Sequence, residues 1–85
     1  MSASELPDDL PAFQQEVDAS GLTCPLPILR AKKALAQMDS GQVLRVATTD
    51  PKAVRDFQAF AKQSGNVLVA QHDAGDSALH FLRRR

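Results

Sequence analysis

The stretch Asp18-Ala19-Ser20-Gly21-Leu22-Thr23-Cys24-Pro25-Leu26-Pro27 carries the chain from a short extended segment through a turn into a helix. Proline suits the first helical position, because its missing N–H belongs to a donor that the helix leaves unpaired in any case. With Pro25 placed there, Cys24 falls at the N-cap, and Pro27 is tolerated in the first turn for the same reason. The sulfur is then expected to face the N–H groups of Leu26 and Ile28 and the positive end of the helix dipole. That environment favours thiolate and predicts an acid-shifted, nucleophilic cysteine. A lone cysteine is otherwise a small apolar filler. A Pro-x-Pro helix start is hard to bury, and this favours reactivity here. Upstream, Gln14 to Asp18 reads as a short strand, with Asp18 and Gly21 shaping the turn and Gly21 supplying a backbone conformation that other residues resist.

Downstream, Ile28, Ala31, Leu35 and Met38 recur at the spacing of one helix face, predicting a helix from Pro25 to Met38 with Gly41 as its left-handed cap. Gln42 to Thr48, with Val43, Leu44 and Val46, reads as a buried strand. Asp50-Pro51 repeats the helix-start chemistry, with Asp50 as N-cap. Ala53, Val54, Phe57, Phe60 and Ala61 form the apolar face of the second helix, closed at Ser64-Gly65. Asn66 to His72 and Ser77 to Leu82 are two further strands, and the short link Asp73-Ala74-Gly75-Asp76 makes them an antiparallel hairpin. The order β-α-β-α-β-β predicts an α/β two-layer sandwich, with both helices on one face of a four-stranded mixed sheet. The other sheet face must then be polar or meet a partner.

The 85 residues suffice for one small domain, over 13–85, preceded by an acidic, proline-bearing arm over 1–12 that is expected to be flexible. One cysteine forms no internal disulfide, and with no signal peptide or long apolar run the expected setting is the reducing cytoplasm, with no membrane partner. Ten basic and ten acidic side chains cancel, which argues against direct nucleic-acid binding; Arg83 to Arg85 read as a solvated end. His72 and His80 have no ligand spacing with Cys24, so neither metal nor cofactor is expected, and both read as surface or edge-strand histidines.

The pattern Asp18-x-x-Gly21-Leu22-x-Cys24-Pro25-x-Pro27, then Lys33, Met38-x-x-Gly41, Thr49-Asp50-Pro51 and Asp56, resembles the TusA-like (SirA-type) sulfur-carrier family from about Val17 to the C-terminus. The resemblance implies the same two-layer fold and a small carrier whose motif cysteine, here Cys24 supported by Pro25 and Pro27, accepts sulfane sulfur as a persulfide. It further implies a cysteine desulfurase or rhodanese-like donor, and a downstream acceptor protein in tRNA thiolation, molybdenum-cofactor supply or sulfur oxidation. Many relatives have a cysteine in the second helix and a histidine past the following glycine, where this chain has Ala61 and Asn66. A carrier with one cysteine loads and unloads only by exchange with other proteins.

Transfer between proteins needs a docking surface. Leu26, Leu29, Arg30 and Lys33 fall opposite the core stripe of the first helix, beside the cysteine, and form the expected patch. The competing reading is a non-catalytic regulatory module that binds protein or RNA through that face or the basic tail.

Overall fold

The computed structural model describes residues 10–85; residues 1–9, most of the expected arm, lie outside the described residues. The element order is β1 (Gln15–Ala19), α1 (Leu26–Ala36), β2 (Val43–Thr48), α2 (Ala53–Ser64), β3 (Val67–Asp73) and β4 (Ala78–Arg83). The strands form one four-stranded sheet in the order β1-β2-β4-β3, with β1 parallel to β2 and β4 antiparallel to both its neighbours. The last hairpin therefore places β4 between β2 and β3. This is the expected mixed sheet with both helices on one face.

Period-2 alternation selects the covered face. Leu44, Val46 and Thr48 of β2 lie opposite Leu82, His80 and Ala78 of β4, and all six are buried. Ala31 and Leu35 from α1 and Ala53, Phe57 and Ala61 from α2 pack onto them.

Three expectations at the helix ends are corrected. Helix α1 stops at Ala36, two residues before Met38. Met38 still reaches the core, because a tightened turn, with the Met38 N–H donating to the Leu35 carbonyl at 3.1 Å, keeps its side chain on the apolar stripe. Gly41 is left-handed at φ 90° but caps no helix; it sits in the following turn and donates its N–H to the Arg84 carbonyl at 2.8 Å. The cap of α2 is Lys52 and not Asp50. Gly65 does close α2 in the left-handed conformation.

The opposite sheet face is partly shielded by the chain itself. Phe13 folds back over Phe81 with ring centroids 6.4 Å apart, and the Arg45 guanidinium lies 4.3 Å from the Phe13 ring while pairing with Glu16. Phe81 is thereby buried without a partner protein.

His80 is neither a surface nor an edge-strand residue. It is fully buried on the central strand β4, stacked on Phe57 at 4.4 Å. The Gln71 side-chain amide donates to the Val54 carbonyl at 2.9 Å and to His80 Nδ1 at 2.9 Å, which leaves the ring proton on Nε2, 2.8 Å from the Thr48 hydroxyl. Among the described residues every buried side-chain nitrogen and oxygen has a hydrogen-bond partner. Burial lowers the His80 pKa to about 4.

Candidate functional site

The expected site residues converge where β1 and β2 end and both helices begin. The Ser20 N–H donates to Asp18 Oδ1 at 3.0 Å, closing a side-chain turn, and hydrogen bonding from the Ser20 side chain, then from this N–H, holds the Asp18 carboxyl below the usual carboxylate range. Gly21 follows at φ 80°, and its N–H donates to the Thr49 hydroxyl at 2.8 Å. That bond ties the loop before α1 to the loop before α2.

Asp50 makes the second tie. Its Oδ2 accepts the Cys24 N–H at 2.7 Å, and its Oδ1 accepts the Lys52 N–H at 2.9 Å. One carboxylate therefore holds two loops whose residues are separated by 26 positions in the sequence. Accepting the Lys52 and Cys24 amides keeps the Asp50 carboxyl low, so it is ionised across the neutral range.

Cys24 is free and exposed, and its peptide bond to Pro25 is cis. The N-cap of α1 is Pro25 and not Cys24, with Leu26 and Pro27 as the first two helical residues. Leu26 is also not a donor to the sulfur: its N–H donates to the Thr23 carbonyl at 2.8 Å. The sulfur consequently lies outside the helix end and does not cap it. A carboxylate oxygen of Asp50 lies 2.7 Å from the Cys24 backbone nitrogen. Asp56, in the first turn of α2, raises the thiol pKa by hydrogen bonding that favours the protonated form; partial desolvation and the charges of Asp56 and Asp50 act in the same direction, and only Lys52 opposes them. The expectation of an acid-shifted thiol is corrected: hydrogen bonding and charge from Asp56, with partial desolvation and the charge of Asp50, shift it upward.

Pro27 is buried beneath this shelf, and Leu26 and Leu29 are 44% and 53% exposed. Arg30 and Lys33 are also exposed, and no acidic residue occurs in α1. Thr49, Lys52 and Asp56 complete the site without having been singled out as site residues. The sequence signal for them was their position at and just after the second helix start, which only the fold brings beside the first.

A two-layer sandwich carrying a tethered Cys-Pro-x-Pro helix start defines a class, that of the SirA-like folds. The SirA-like protein from Desulfitobacterium hafniense superposes with a TM-score of 0.73 at 26% identity, covering 82% of this chain and 96% of that one. Residues 15–84 match the family described as sulfurtransferase TusA. The sulfur carrier protein TusA of Allochromatium vinosum is 60% identical over 73 residues, covering 86% of this chain and 95% of that protein. A putative sulfur carrier protein of Bacillus subtilis, YrkI, is 48% identical over 68 residues, with 80% and 91% covered. The chain belongs to the TusA family of sulfur carriers.

Among the described residues no group of His, Cys, Asp and Glu is arranged to hold a metal ion, and no helix is long and apolar enough to cross a membrane.

Proposed function

We propose that this protein carries sulfane sulfur as a persulfide on Cys24 and relays it between partner proteins in the cytoplasm. The observation that carries the reading is an exposed cysteine on a doubly tethered helix start, in a chain of the TusA family. In loading, the Cys24 thiolate attacks the terminal sulfur of a donor persulfide. The donor's S–S bond breaks as a new one forms at Cys24, the donor sulfur leaves as thiolate, and the proton lost by Cys24 goes to solvent. No external oxidant is consumed. A cysteine desulfurase or a rhodanese-like protein supplies such a persulfide, and an acceptor thiol removes it by the same exchange. Leu26, Leu29, Arg30 and Lys33 form the docking surface, an apolar pair flanked by cations next to the sulfur.

Incubation with a cysteine desulfurase and free cysteine, followed by intact-protein mass measurement, tests the reading. The expected result is a gain of one sulfur atom that mild reduction removes, with no gain in Cys24→Ser although that variant stays folded. Absence of sulfur uptake from desulfurase, rhodanese and polysulfide donors alike would leave the non-catalytic binding module in its place.

A further inference from the structure

We propose that Asp50 and Asp56 act as a charge filter at the sulfur, so that efficient exchange at Cys24 requires a partner bearing a cationic group beside its own reactive sulfur. The proposal deepens the carrier reading and rests on it for the identity of the partner. Its basis is the arrangement around the thiol. Asp50 is locked by two backbone N–H groups, 2.7 Å from that of Cys24 and 2.9 Å from that of Lys52, and so is unable to swing away. Asp56 lies in the first turn of α2, the helix whose preceding loop Asp50 ties to Cys24. The exposed ammonium of Lys52 is the charge that opposes the two carboxylates in their action on the sulfur.

A sulfur donor presents an anion to this rim, since the group that departs from the attacked persulfide is a thiolate. Bringing that anion to bonding distance of Cys24 sets it against two carboxylates. One like-charge contact at such a rim slows exchange by up to about tenfold in low salt. A lysine or arginine beside the donor sulfur reverses the sign. The surface continues with opposite polarity: Arg30 and Lys33 lie four and seven residues along α1 from Leu26, about 6 and 10 Å at the helical rise. A matching partner therefore carries a cation at the sulfur contact and carboxylates further out, which fixes its orientation as well as its charge.

The test uses two small disulfides of opposite charge, the dication cystamine and the dianion 3,3′-dithiodipropionate. Their rates of exchange with the full-length protein are measured at matched thiolate fraction, each normalised to N-acetylcysteinamide. The normalised cystamine rate is expected to exceed the dithiodipropionate rate by about three- to tenfold in 10 mM salt and to approach it in 1 M salt. Asp56→Asn and Asp50→Asn should each reduce the ratio, with circular dichroism reporting the fold. Because Asp56 holds neither loop, its variant keeps the test valid even where Asp50→Asn unfolds the site. Equal normalised rates in low salt, or a ratio unmoved by Asp56→Asn, would overturn the proposal. Charge selectivity together with no sulfur uptake in the mass measurement would uphold the filter and reject the carrier reading, so the two failures are separable.

Discussion

At Cys24 the helix dipole and the neighbouring carboxylates make opposite demands, and hydrogen bonding to Asp56 with the full charges of Asp56 and Asp50 raises the thiol pKa. The thiol is therefore expected to alkylate with a midpoint above the ordinary cysteine value of about 8.5. Asp56→Asn removes both a proton acceptor and a charge, so its midpoint should fall towards that value; an unchanged iodoacetamide rate profile across pH would show that Asp56 does not govern the thiol. Gly21 carries a different burden. A Cβ there meets no atom within 4 Å, so Gly21→Ala suffers only from the left-handed backbone at φ 80°, about 1 kcal/mol. Chemical denaturation reads that loss directly, and a cost far above it would mean the loop rearranges.

At the scale of elements, α1 serves two surfaces. Ala31 and Leu35 face the core while Leu29, Arg30 and Lys33 stay in solvent, so the proposed docking face can be altered without disturbing packing. Reversing Arg30 and Lys33 to Glu is expected to weaken association with a sulfur donor and reduce its salt dependence, with unfolding midpoints nearly unchanged. Titration calorimetry at two salt concentrations checks this, and unaltered affinity would remove the two cations from the interface. The helix starts themselves were legible from Pro25, Pro27 and Asp50-Pro51 to within two residues. Their caps were not, because Asp50 is drawn to Cys24 on a different element and so holds the turn before α2 in place of the helix itself.

For the whole molecule, the most consequential buried group is His80. The ring must stay neutral, since Nδ1 accepts from the Gln71 amide and a proton there would face another donor. In the unfolded chain the ring protonates near pH 6.5, whereas in the fold it resists until about 4. The unfolded state therefore binds more protons between these values. Stability is fully present above pH 6.5, declines as the pH falls through that window, and levels off below it, for a total of roughly 2 to 3 kcal/mol. Asp18 and Asp50, whose carboxyls are held low, add losses of the same sign at still lower pH. Urea midpoints at pH 7.5 and 4.5 should show the decline, and His80 ring resonances should not move between pH 8 and 5. A ring titrating near 6.5 would contradict the buried network.

The sequence by itself determined the element order, the two apolar helix faces and the position of Cys24 at the first helix start, because each follows from local periodicity and from what proline, glycine and aspartate do to adjacent backbone. The alternation Ala78-Leu79-His80-Phe81-Leu82 even held the signal that His80 shares the face of Leu82, though nothing local supplied the partners that make its burial tolerable. Only the tertiary structure decided the charge around Cys24, the burial of His80 and the shielding of the open sheet face by Phe13. Each of these depends on groups far apart in the chain, such as Cys24 with Asp50 and Thr48 with His80, whose Coulomb and hydrogen-bond energies exist only once strand order has set them a few ångströms apart.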